Sequence, residues 1–124
     1  MIQRKPVYIE LDRRRQLTFN LNTEIMIRDV SGRGSSLWET VGESKDAETG
    51  EVRRTLDVNL DNLRTYLWAA LYEDAEKRGE KLTIEDVGRM LSRRKWVTAA
   101  VYAISEAMNQ YYGDTEGEAE APAE

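Results

Sequence analysis

The segment "DVNLDN" (Asp57 to Asn62) places side-chain oxygens at alternate positions, as the opening of a calcium loop does, where they converge on the ion. The loop does not close: the position for the bidentate carboxylate holds Trp68, and the obligatory glycine position holds Asn62. Asparagine and aspartate at a helix start account for the segment better, since their side chains accept from free backbone N–H groups. The adjacent carboxylates Glu85 and Asp86 likewise read as capping and dipole residues at the head of a helix rather than an acid–base dyad. No glycine-rich phosphate loop and no serine elbow occurs. With no His and no Cys, the chain also lacks imidazole bases, thiolate nucleophiles, disulfides and the usual zinc ligands. The expectation is a protein that is not an enzyme and holds no metal or cofactor.

Two basic triplets remain. Arg93, Arg94 and Lys95 lie between two helical patterns in "LTIEDVGRMLSRRKWV", whose cadence is that of a helix-turn-helix in which these three would contact phosphate. Cations suit the end of the first helix but oppose the dipole at the start of the next, which hints at a use for them. Against nucleic acid stand the pI near 4.9 and the lack of a second basic cluster alongside. Arg13, Arg14 and Arg15 are expected to form a solvated turn.

The elements that position these residues follow from periodicity. In "VYIEL" (Val7 to Leu11) and "QLTFNL" (Gln16 to Leu21) apolar residues fall at every second position, which predicts two strands joined as a hairpin by "DRRR". "NTEIMIRDV" reads as a short helix stopped by "SGRG", and "SSLWETVG" as another, with Ser36 and Glu39 as a capping box. Residues 43–55, nearly devoid of apolar side chains, read as a mobile loop. A long helix is expected over 57–78, a short one from Thr83, its N-cap with Asp86 as box partner, to Leu91, and a closing one over 94–112. The fold class is α+β, mainly α: an N-terminal β-hairpin packed on a small bundle of four or five helices, in one domain over 1–112.

Of 23 acidic residues, five lie in 113–124 with no base, leaving 18 acidic against 18 basic in the rest. This end is expected to be a disordered acidic tail. No apolar run approaches the ~18 residues of a membrane span, and the N-terminal residues lack the apolar segment of a secretory signal. A soluble protein without membrane contact is expected.

The long helix carries a surplus of apolar surface. With Leu60 at zero and about 100 degrees per residue, Leu63, Leu67 and Leu71 stay within about 60 degrees of that line. Trp68 falls near 80 degrees, Tyr72 near 120 and Tyr66 on the opposite flank near -120, all roughly. These aromatics are either buried by neighbouring elements or form a patch for another chain.

The order of elements, with "LWAAL" at Leu67 to Leu71 followed by "LTIEDVGRML" at Leu82 to Leu91, resembles the tail assembly chaperones of long-tailed bacteriophages and gene transfer agents. The likeness spans roughly residues 5 to 110. In that family a strand pair on the theme "ldg.r.L.f" precedes a theme "lwaaL..ed..lt.eevg.ll"; here "DRRRQ" replaces the glycine-containing turn, and the charged segment 43–55 is a second departure. The resemblance implies binding of the helical tape measure protein, keeping it soluble, and recruitment of tail tube protein during tail morphogenesis. It also implies residence in the host cell cytoplasm, absence from the mature virion, and a shorter product where a frameshift appends a second domain. Trp68, Tyr72, Arg93, Arg94 and Lys95 are the expected partner contacts; homo-oligomerisation is left open. The alternatives are a small helix-turn-helix regulator, or a neck or tail-terminator protein that stays in the virion.

Overall fold

The computed structural model describes residues 5–113. The acidic tail expected at 113–124 lies, apart from Gly113, outside the described residues. The described residues form an α+β, mainly helical fold with four helices and two small antiparallel hairpins.

Strands β1 (Val7–Glu10) and β2 (Arg14–Leu17) form the first hairpin, with Val7 opposite Leu17 and Ile9 opposite Arg15. The second strand lies two residues earlier than its alternation suggested, because Arg14 and Arg15 take up the pairing with Glu10 and Ile9. Phe19 is buried beyond the strand, and Leu21, expected on the apolar face, is exposed as the first residue of helix α1 (Leu21–Ser31). Asn20 caps α1 in a reciprocal box: its side chain accepts from Thr23 N–H at 3.2 Å, and the Thr23 hydroxyl accepts from Asn20 N–H at 3.0 Å. Gly32, at φ 88°, turns the chain out of the helix while its N–H bonds the Arg28 carbonyl.

The next segment departs from expectation. "SSLWETVG" is not a helix: Ser36 accepts from Trp38 N–H in a local turn, Leu37 is buried, and strand β3 (Trp38–Lys45) begins. Nor is 43–55 a loop, because β3 pairs with β4 (Val52–Val58) around a turn in which Asp46 accepts from Glu48 and Thr49 N–H. The helix signal at Ser36 to Val41 was too short to compete with a seven-residue partner strand; Gly42 breaks it, and Val41 becomes the extra residue of a bulge between Thr40 and Gly42.

Helix α2 (Leu60–Lys77) is the centre of the fold and starts three residues later than expected, after Asp57 and Val58 have paired in β4. Asn59 caps it, accepting from Asn62 N–H at 3.0 Å, which fulfils the helix-start reading of "DVNLDN". Leu63, Leu67 and Leu71 are fully buried, whereas Leu60, in the first turn, is 52% exposed and not part of the stripe. Ala69 and Ala70 let the chain leaving β2 approach closely enough for Thr18 N–H to bond the Ala70 carbonyl at 2.8 Å. Helix α3 (Ile84–Met90) begins at the expected Thr83–Asp86 capping box, and Leu82 and Val87 both pack into the core. Helix α4 (Arg94–Tyr112) has the predicted limits and buries Ala100, Ala103, Ile104 and Ala107 against β1 and α2.

Candidate partner-binding surface

Helix periodicity places Trp68 and Tyr72 one turn apart on α2, facing α1. Between the two helices lies a groove of about 560 Å³, lined by the apolar side chains of Ile25, Met26, Trp68 and Tyr72 and by the charged ones of Glu73, Glu76 and Lys77. The rings of Trp68 and Tyr72 meet edge-on, 6.1 Å between centroids. They are held unequally. Trp68 is partly buried against the core and its indole N–H donates to the Leu82 carbonyl at 2.9 Å, which ties α2 to the segment entering α3. Tyr72 is 38% exposed. Tyr66, on the other flank, is buried, its hydroxyl donating to the Ser35 carbonyl at 3.1 Å. The surplus apolar surface of α2 is thus divided: Tyr66 belongs to the core, Trp68 bridges core and groove, and Tyr72 faces outward.

Arg93, Arg94 and Lys95 do not line this groove. Arg93 is the N-cap residue of α4 without a side-chain cap bond; Arg94 and Lys95 open the first turn, which contains no acid. All three are exposed. Among the described residues no carboxylate lies within ion-pair distance of them. The helix dipole at this end is therefore left uncompensated, with three exposed cations at its head.

The triplet at 13–15 is where expectation fails most clearly. It is not a solvated turn. Arg15 is 3% exposed: its Nε and Nη2 donate to the two carboxylate oxygens of Asp12 at 2.7 and 2.8 Å, and Nη1 donates to Glu80 at 3.0 Å. Arg13 reaches Glu80 at 2.9 Å and lies 3.0 Å from Asp74 in a charge contact outside hydrogen-bond geometry. Only Arg14 is solvated, lying over the Tyr8 ring at 4.2 Å. The hydrogen bond from Arg15 holds the Asp12 carboxyl below its usual range, that from Arg13 does the same for Glu80, and Asp12 in turn pushes the Arg15 guanidinium up. This network clamps the hairpin turn to the C-terminal end of α2. A signal was present in the sequence: Arg15 sits at the period-two position shared with Leu17.

Among the described residues no group of three or more His, Cys, Asp or Glu is arranged to hold a metal ion. Nor is any helix there long and apolar enough to cross a membrane. No protein-family model matches the chain, and no curated protein or solved structure is similar to it.

Proposed function

We propose that this protein is a non-enzymatic tail assembly chaperone that binds an apolar helical stretch of a tape measure protein in the groove between α1 and α2. The observation that carries the reading is the Trp68–Tyr72 pair, which opens onto a groove walled by Ile25 and Met26 within the segment that carries the family resemblance. A helix docking there would lay its apolar face against the aromatic pair, with the charges of Glu73, Glu76 and Lys77 selecting its polar flank. Recruitment of tail tube protein, residence in the host cell cytoplasm and absence from the finished virion complete the proposal. Arg93, Arg94 and Lys95 are proposed as a second, electrostatic contact for the acidic face of the same partner.

Co-expression with a tape measure protein from the same genome tests the proposal. The expected result is a soluble complex that Tyr72→Ala weakens while the chain remains folded. If the tape measure protein is equally insoluble with and without this chain, and no complex is recovered, the proposal fails. The exposed cations at the head of α4 also favour a helix-turn-helix reading, and a gel-shift at low salt with no retention removes it. Finding the chain in purified virions would favour the neck or terminator alternative.

A further inference from the structure

The β3–β4 hairpin stands apart from the rest of the fold. From Trp38 to Asp57 every residue except Gly42 is exposed, on both faces of the ribbon. Isolated two-stranded hairpins are marginal in water, and among the described residues nothing pairs with the outer edge of either strand. Its faces are chemically distinct. Val58, Leu56, Arg54 and Val52 alternate along β4 on the face they share with Trp38, whereas Asp57, Thr55 and Arg53 lie on the other. Trp38, Leu56 and Val52 remain 44%, 57% and 49% exposed.

The two edges are not equivalent. The edge of β3 is broken by the bulge at Val41, a device that discourages further pairing. β4 is seven residues without interruption, and its sequence is complementary to itself when reversed. Antiparallel pairing with a second β4 about its midpoint, Thr55, sets Val52 opposite Val58 of the second copy, Arg53 opposite Asp57, and Thr55 opposite Thr55. Arg54 then faces Leu56, and its charge is already matched by Glu43 at 3.2 Å within its own hairpin. The Val52–Val58 pairs keep apolar residues on one side of the sheet and the Arg53–Asp57 and Thr55–Thr55 pairs keep polar residues on the other, while Arg54 is the one charged residue of β4 on the apolar side. A shift of the centre by one residue to Arg54 places two arginines opposite each other, and an equal shift toward Leu56 leaves Arg53 without Asp57. The charge match also corrects a fault inside the hairpin, where Glu39 and Asp57 are directly opposed like charges.

We infer that β4 is a docking edge for a second copy of this chain, with two hairpins joined across a two-fold axis into a four-stranded sheet of order β3-β4-β4-β3. The interface is isologous, so each dimer gains two Arg53–Asp57 pairs and one central Thr55–Thr55 pair. The inference does not depend on the chaperone reading, since it concerns the purified chain alone.

The experiment uses the full chain. Light scattering after size exclusion should give twice 14.3 kDa at micromolar concentration. Arg53→Asp should weaken the dimer by about tenfold or more, since it loses two pairs and creates two repulsions, and Arg53→Asp combined with Asp57→Arg should restore it. Because the chain has no cysteine, Thr55→Cys alone should cross-link to a dimer on oxidation, whereas Thr40→Cys, on β3, should not. Circular dichroism on each variant checks that it is folded. A monomer at every concentration overturns the inference and leaves the edge to a different protein. A dimer indifferent to the Arg53 and Asp57 exchanges, or cross-linked equally from Thr40→Cys, overturns it as well.

Discussion

Trp68 and Tyr72 meet edge to face, their ring planes 74° apart, and only Trp68 is bonded to the protein beyond its own helix, through the Leu82 carbonyl. The two rings should therefore respond differently to substitution. Trp68→Phe removes the indole donor and is expected to cost about 1 kcal/mol. Trp68→Ala also removes packing against the core and should cost about 2 to 3 kcal/mol, less than a fully buried tryptophan. Urea denaturation of the two variants against the parent measures both.

Tyr72→Ala is expected to change stability by less than about 1 kcal/mol, since the ring lies at the surface, 38% exposed, and alanine is the better helix former. If the groove is the partner site, the same change should weaken binding by about 2 kcal/mol, or roughly thirtyfold. Calorimetric titration with a tape measure segment, alongside a melting curve of the free variant, separates the two effects.

Arg15 should matter far more than its neighbour in the sequence. Arg15→Ala removes a buried guanidinium with its stem, both side-chain donors to Asp12 and one of the two to Glu80, at an expected cost of about 2 to 3 kcal/mol. Arg15→Lys keeps the charge but not the two-pronged contact and should fall between Arg15→Ala and the parent. Arg14→Ala should lie within about 0.5 kcal/mol of the parent. Melting temperatures of the three order them.

The same network sets an acid limit. Asp12 and Glu80 have folded-state values below their ordinary 3.8 and 4.5, so the native state binds fewer protons than the unfolded chain as these groups titrate. Their stabilisation is complete above those ordinary values and is lost as pH falls through the lower, folded ones. The melting temperature should thus be flat near neutrality with respect to these groups and decline below about pH 4.5. Asp12→Asn with Glu80→Gln should start lower and show a shallower decline, which a series of melts from neutral pH to pH 2.5 would show.

The parts of the fold legible in the sequence were those fixed by local chemistry. Thr83 with Asp86 and the long amphipathic run of α4 each announce themselves within a few residues, and the structure has both. The second hairpin did not, because its stability is not written locally. Val52, Leu56 and Val58 do alternate, as do Trp38 and Thr40, but Arg53, Arg54 and Glu43 between them make the composition that of a loop. Arg15 was misread for a related reason: charge suggested solvent, and nothing nearby in the chain shows that Glu80 closes over it from 65 residues away. Of the expected contact residues, Trp68 and Tyr72 share a groove because one helix carries both, whereas the 93–95 triplet lies elsewhere.

At the root of the β3–β4 ribbon, Asn59 N–H bonds the Leu37 carbonyl at 2.8 Å, and the Asn62 side chain bonds the Ser36 carbonyl at 2.7 Å. The chain therefore leaves the body and returns to it at nearly the same point. Excising the ribbon and closing the gap with a short turn would not stretch the backbone, and a shorter closure lowers the entropy lost on folding. In its architecture the ribbon is an insert: a chain closed between Leu37 and Asn59 should keep the packing of α1 on α2.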